Sequence, residues 1–166
     1  MQFCLVFRCE TLSVPVMRRV LGDTLRGLGV DEESVDDILL AATEACTNVL
    51  THGGRPVSGY TVLTRLGAVG CQVEVTDEGV GLPGTLAPAG PALAGSALAG
   101  SALADPAPEL IPVAQLAESG RGLAVMRACV DDVTLDSRPG HGTVVTMSKH
   151  ISWSSDAPVR RLRAAS

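Results

Sequence analysis

Three short polar clusters contain the residue types that could do chemistry, and the first is Glu44-Ala-Cys-Thr-Asn48. Because residues four apart share one face of a helix, Glu44 and Asn48 are expected to project together. A carboxylate and an amide oxygen are hard ligands that suit Mg²⁺, and a carboxylate can also orient an attacking hydroxyl group. Taken alone, such a pair is more often an ordinary solvent-facing pair of polar side chains.

The second cluster is Asp77-Glu-Gly79-Val-Gly81, which stands where a strand-like pattern ends. A carboxylate at the end of a strand can accept a hydrogen bond from an amine, and the two glycines let the backbone approach a flat ring. The alternative is a glycine-rich turn that only ends the strand. With Gly84 the run also matches the G-x-G-x-x-G dinucleotide fingerprint. That fingerprint requires a helix to begin at once, and Pro83 disfavours one.

The third cluster is Ser119-Gly120-Arg121-Gly122-Leu123, at the start of a predicted helix. Free backbone N–H groups at a helix start, two glycines and an arginine together form a suitable cradle for phosphate. The alternative is a capped helix start whose Arg121 side chain lies in solvent. Further along, Gly142-Thr143 forms a turn into the last predicted strand, where Thr143 can offer a hydroxyl group.

The elements that must position these clusters follow from the spacing of apolar residues. Loose alternation predicts strands at 2–10, 57–66, 69–76, 133–137 and 143–150, the second and third forming a hairpin. Helical spacing predicts helices at 13–28, 31–51 and 120–130, with Ser13 and Asp31 as N-caps. The pattern predicts an α+β fold, a two-layer α/β sandwich with a mixed, mostly antiparallel sheet and helices on one face.

Composition divides the chain into one domain at 1–151 and a flexible polar tail at 152–166. Within the domain, the segment 83–117 is rich in Ala, Gly and Pro, and we expect it to be an inserted mobile loop. A net charge of −5 and 2% aromatic residues argue against direct nucleic-acid binding, which favours basic surfaces and stacking rings. Five scattered cysteines without a C-x-x-C pair or a secretory signal indicate a cytoplasmic protein. No apolar run is long enough to span a membrane.

Taken in order, the clusters resemble the N box, G1 box and G2 box of the GHKL (Bergerat-fold) ATPase superfamily, and more closely its anti-sigma-factor kinase branch. The resemblance covers about residues 2–150 except the loop. It implies ATP and Mg²⁺ as cofactors. Implied roles are general base for Glu44, Mg²⁺ ligand for Asn48, adenine recognition for Asp77, Gly79, Gly81 and Thr143, and phosphate binding by the G2-box residues Gly120, Arg121, Gly122 and Leu123.

The resemblance also implies a protein serine/threonine kinase that phosphorylates an anti-anti-sigma (STAS-domain) partner, sequesters a sigma factor, and forms a homodimer. Arg18 and Arg19 on the first helix are candidates for a partner surface, although solvated arginines are commoner.

One departure from the family keeps a second interpretation open. The loop 83–117 lies where the family has its ATP lid, yet it contains no Lys or Arg that could stabilise transferred phosphate. The alternative function is therefore a catalytically weak, nucleotide-dependent regulatory binding module.

Two other kinase classes fit less well. A histidine-kinase catalytic domain is disfavoured because the three histidines (His52, His141 and His150) lie inside or beyond the ATP-binding region, and nothing before Gln2 supplies a phospho-accepting helix. A P-loop enzyme is excluded because no G-x-x-x-x-G-K-[ST] motif occurs.

Overall fold

A computed structural model of the chain describes residues 1–52, 58–77, 84–86, 120–138, 142–155 and 157–158. The strands are β1 (Gln2–Arg8), β2 (Gly59–Leu66), β3 (Gly70–Asp77), β4 (Gly84–Leu86), β5 (Asp132–Arg138) and β6 (Gly142–His150). The helices are α1 (Ser13–Leu28), α2 (Glu32–His52) and α3 (Gly120–Cys129). None of the described helices is long and apolar enough to cross a membrane.

The described strands form one sheet in the order β1-β2-β3-β6-β5-β4, and every described pairing is antiparallel. In β2 and β3 every second residue is buried, as expected for a sheet with one covered face. The three helices contribute their buried residues to the same core as that face. The predicted α+β sandwich is therefore confirmed.

The core is made of aliphatic side chains, as the low aromatic content predicts. Met17, Leu21 and Leu25 form the fully buried stripe of α1, and they pack in one cluster with α2 and the central strands. Their spacing of four residues places them on one helix face. Burying each such side chain contributes about 1.5–3 kcal/mol, so this packing holds the helix layer on the sheet.

The connection from α1 to α2 shows which predicted caps form. Gly29 ends α1 in the left-handed conformation (φ 87°), which suits glycine. Asp31 Oδ1 accepts a hydrogen bond from the Ser34 N–H at 2.9 Å, so this predicted cap is confirmed. Ser13 is not the cap of α1, because its hydroxyl donates to the Glu10 carbonyl oxygen instead (2.6 Å).

The segment expected to be a loop from residue 83 begins with ordered structure. Gly84–Leu86 form β4 at the edge of the sheet, with Gly84 opposite Ser137 in β5. Edge pairing of so short a strand depends on the neighbouring strand, which lies about fifty residues away in sequence, and local composition therefore did not reveal it. The rest of the predicted lid, 87–117, lies outside the described residues.

The start of the segment expected to be a flexible tail makes specific contacts. Trp153 Nε1 donates to the Ala68 carbonyl oxygen (2.8 Å), and the Ser154 N–H donates to the Gly29 carbonyl oxygen (2.8 Å). Ala157 is buried against Gly29, where an added Cβ would lie 2.6 Å from Ala157. Trp153, Ser154 and Ala157 therefore contact the α1–α2 and β2–β3 turns.

Candidate nucleotide-binding site

The first part of the candidate site is the contact between α2 and the start of α3. Glu44 and Asn48 are half-buried, one turn apart on α2, and they face Gly122 in the first turn of α3. A Cβ placed on Gly122 would lie 3.2 Å from Glu44 Oε2 and 3.4 Å from both Asn48 Oδ1 and Nδ2. The structure thus brings Gly122 to two residues that lie more than 70 positions before it in the sequence.

The contact depends on glycine, because a side chain at position 122 would push the two polar side chains away. The positive end of the α3 dipole also favours negative charge in this region, whether the Glu44 carboxylate or a phosphate. Arg121, one residue earlier, is exposed and can reach an anion there. Leu123 is buried in the core, so its side chain does not line the site, and only its backbone could contact a ligand.

The second part of the candidate site is a row of residues at one end of the sheet. Tyr60, Asp77 and Thr143 lie directly opposite one another on β2, β3 and β6. Directly opposed residues share a face of the sheet, and here it is the helix-covered face. Asp77 is only 6% exposed, so its carboxylate is held among protein groups rather than in bulk water.

Ser137 continues this row on β5 and was missed by the sequence analysis. It is opposite Thr143, and the hydroxyl groups of the two residues are 2.9 Å apart. Ser137 Oγ also donates to the Gly142 carbonyl oxygen (3.3 Å). This bond joins the end of β5 to the start of β6 beside Thr143. A single serine at a strand end carries no sequence signal that distinguishes it from a turn residue.

The charge of Asp77 also affects its surroundings. Burial raises the pKa of the Cys9 thiol, and the nearby negative charge of Asp77 raises it further. Cys9 therefore stays protonated at neutral pH beside the carboxylate. Of the other predicted site residues, Gly120 begins α3 as expected. Gly79 and Gly81 lie outside the described residues.

The predicted Mg²⁺ needs oxygen ligands, and the described residues show which side chains could supply them. Within the described residues no cluster of three or more His, Cys, Asp or Glu side chains could hold a metal by itself. Mg²⁺ usually takes only one or two protein ligands and completes its shell with water and substrate phosphates. The Asn48 amide and Glu44 carboxylate, facing a cradle that a Cβ would fill, fit that sparse arrangement.

Comparison of the chain with known protein families shows the family to which it belongs. Residues 7–149 match the histidine kinase-like ATPase domain. The chain therefore belongs to the family of histidine kinase-like ATPases. ATP binding is implied by membership of that family.

Individual relatives show which branch of the family the chain resembles. The chain is 28% identical to an anti-sigma F factor of Clostridium acetobutylicum over 125 residues, which are 75% of this chain and 76% of the relative. It is 25% identical to the serine-protein kinase RsbW of Bacillus subtilis over 141 residues, 84% of this chain and 79% of the relative. The predicted resemblance to the anti-sigma-factor kinase branch of the GHKL proteins is thus confirmed.

A solved structure shows the same fold. The crystal structure of the RsbU and RsbW domains of Rv1364c from Mycobacterium tuberculosis matches with a TM-score of 0.63 and 17% identity. The match covers 93% of this chain and 33% of that longer chain. At this identity the likeness supports the fold alone.

Proposed function

We propose that this chain binds Mg²⁺-ATP between α2, α3 and the Asp77 end of the sheet, and acts as an anti-sigma-factor protein serine kinase. The observation that carries the proposal is the approach of Gly122 to Glu44 and Asn48. It joins a helix start suited to phosphate with a carboxylate suited to a hydroxyl group. Asp77 and Thr143 lie opposite each other at one sheet end and supply a hydrogen-bond acceptor for the base.

In the proposed reaction, Asp77 accepts a hydrogen bond from the adenine amino group and so selects adenine over guanine. Glu44 accepts the proton of a serine hydroxyl on the protein substrate as the serine oxygen forms a bond to the γ-phosphorus. The bond between that phosphorus and the β–γ bridging oxygen breaks, and ADP leaves with that oxygen. Arg121 balances phosphate charge at the start of α3. Asn48 would hold Mg²⁺, which when bound neutralises negative charge on the phosphates.

The proposed partners are a STAS-type anti-anti-sigma protein that is phosphorylated and a sigma factor that is sequestered. The relatives' names, anti-sigma F factor and serine-protein kinase, support a sigma factor and a serine on a protein substrate. The exposed side of α1 is our candidate surface for them. Leu12, Val16 and Val20 form an exposed apolar stripe four residues apart, and Arg19 beside it is 85% exposed on its side chain. Arg18 is not included in this surface, because its guanidinium group donates hydrogen bonds to Thr43 Oγ1 (2.6 Å) and to the Leu39 carbonyl oxygen of α2.

We also propose that the protein works as a homodimer in the cytoplasm, where its partners would be found. The direct check of the assembly is light scattering coupled to size-exclusion chromatography, with and without nucleotide. A monomer at every concentration and ligand state would rule out the homodimer.

The test of nucleotide binding is calorimetric titration with ATP, ADP and GTP, with and without Mg²⁺. We expect adenine-selective binding that requires Mg²⁺ for full affinity. Asp77→Asn keeps the size of the side chain, but its amide cannot supply the same acceptors, and binding should fall below detection. Folded protein that binds none of the three nucleotides would refute the proposal.

The test of catalysis is transfer of labelled phosphate from ATP to a purified STAS-domain partner. Glu44→Ala should keep nucleotide binding and lose transfer, whereas Asn48→Ala should lose Mg²⁺-dependent binding. Equal loss of binding in both variants would contradict the separate roles. The wild type could instead bind ATP and a partner without transfer. That result would favour a regulatory binding module, as the absence of Lys and Arg from 83–117 suggests.

A further inference from the structure

Tyr60 has the largest fully buried side chain in the described part of the chain, and its hydroxyl lies where three elements meet. The hydroxyl donates a hydrogen bond of 2.8 Å to Ser13 Oγ at the start of α1. It also lies close to the Cys46 thiol in the middle of α2, and both side chains belong to the buried core. The Tyr60 ring packs on Phe7 of β1, with ring centroids 5.4 Å apart. One side chain of β2 thus connects both long helices to the sheet.

In the hydrogen bond between Tyr60 and Ser13, the Tyr60 hydroxyl group is the donor. Ser13 Oγ donates its only hydrogen to the Glu10 carbonyl oxygen, so it must accept from Tyr60. The Tyr60 hydrogen is therefore used in the bond to α1, and the Cys46 thiol lies beside the same hydroxyl group. Burial raises the pKa of Cys46 to about 12 and also raises the pKa of Tyr60. Tyr60 therefore keeps its proton at neutral pH, and its hydrogen bond to Ser13 stays intact.

The position of this group relative to the candidate site suggests its role. Tyr60 is directly opposite Asp77 in the sheet. Cys46 lies between Glu44 and Asn48 along α2. We propose that Tyr60 is a positioning residue that fixes the separation between the base-recognising end of the sheet and the part of α2 that faces the phosphates. The inference rests on the proposed function, because it concerns how one nucleotide contacts both parts.

A nucleotide that touches two parts of a site gains affinity from both only when their separation is held at the right value. In that case the first contact holds the rest of the nucleotide near the second part of the site, at a high effective concentration. Loosening the separation lowers this effective concentration. Each separate contact is unaffected by such loosening. Loss of the Tyr60 hydroxyl should therefore weaken ligands that span the site more than ligands that occupy one part.

The experiment compares adenosine, which reaches only the base-recognising part, with Mg²⁺-ATP, which spans the site. Their affinities are measured by NMR titration and calorimetry, respectively, in the wild type and in Tyr60→Phe. The variant keeps the ring that packs on Phe7. We expect Mg²⁺-ATP affinity to fall about fivefold to tenfold, since the buried hydrogen bond to α1 and the contact of the hydroxyl group with Cys46 of α2 are lost, and adenosine affinity to stay within about twofold.

Thr64→Val is the matched control on the same strand and the same face. Thr64 Oγ1 is buried and has no hydrogen-bond partner in the described part of the chain. Its removal should change neither affinity. Ser13→Ala, which keeps Tyr60 and removes its acceptor, should reproduce the selective loss of Mg²⁺-ATP affinity if Tyr60→Phe does not fold.

The outcomes separate this inference from the proposed function. An equal fall in both affinities, unchanged affinities in both Tyr60→Phe and Ser13→Ala, or the same loss in Thr64→Val would overturn the positioning role alone. A folded wild type that binds neither ligand would overturn the proposed function, and this role with it. Selective weakening of Mg²⁺-ATP in Tyr60→Phe, with Thr64→Val unchanged, supports both.

Discussion

Gly122→Ala tests the contact on which the candidate site depends. The added methyl group would lie 3.2 Å from Glu44 Oε2 and 3.4 Å from the Asn48 amide, closer than ordinary van der Waals contact. The two side chains must therefore move by a few tenths of an ångström. Both are half-buried and can shift at small cost, while alanine is the better helix residue. The free energy of unfolding should therefore change by no more than about 1 kcal/mol in either direction.

Nucleotide binding should respond much more strongly than stability. A displacement of about 1 Å in a positioned group can cost about a hundredfold in activity; on the same scale, a few tenths of an ångström corresponds to a loss of affinity of about fourfold to tenfold. We expect calorimetry to show that loss for Mg²⁺-ATP, while chemical denaturation shows a nearly unchanged protein. The combination distinguishes a disturbed site from a disturbed fold.

Gly27→Ala is the matched control for the same substitution in another helix. Nothing lies within 4 Å of a Cβ at Gly27, which is exposed near the end of α1. This variant should gain about 0.5–1 kcal/mol of stability and bind nucleotide as the wild type does. Wild-type affinity in Gly122→Ala would refute the assignment of this cradle to the phosphates. A loss of stability above about 2 kcal/mol would refute the argument that Glu44 and Asn48 can yield.

Two further predictions concern stability. Thr64→Val replaces a buried hydroxyl group, which has no hydrogen-bond partner among the described residues, with a methyl group of similar size. Urea denaturation should show a gain of about 1 kcal/mol; a loss would mean that the hydroxyl group has a partner. Burial acts to raise the pKa of Asp31, but hydrogen bonds from Ser34 and Ser152 outweigh it and hold that pKa below its usual value. Because the folded pKa is the lower one, this stabilisation is present above the unfolded pKa and lost as pH falls through the folded value, below about pH 4. Asp31→Asn should therefore be less stable than the wild type at pH 7, and the difference should shrink as the pH falls below about 4; a difference that does not change with pH would contradict the argument.

The helices were predictable because their signals are local. The apolar spacing of α1 and α2, the Asp31 cap and the left-handed Gly29 are each decided within one or two turns of chain. The three polar clusters could also be recognised in sequence, since residue type and order carried the resemblance that the family match confirmed.

Strand register and helix packing could not be predicted in the same way. The sheet order brings β6 between β3 and β5, and only that arrangement sets Asp77 opposite Thr143 and Thr143 beside Ser137. β4 and the contacts of Trp153, Ser154 and Ala157 depend on partners far away in sequence. Their own residues would suit a loop equally well.

The sequence by itself determined the local elements, the aliphatic core and the chemical types available for a nucleotide site. Tertiary structure alone decided that Gly122 meets Glu44 and Asn48, and that the Tyr60 hydroxyl joins α1 and α2 beside Asp77. The physical reason is that a helix or cap forms from contacts within a few residues, whereas the contacts of Gly122 and Tyr60 depend on strand register and helix packing across the whole domain.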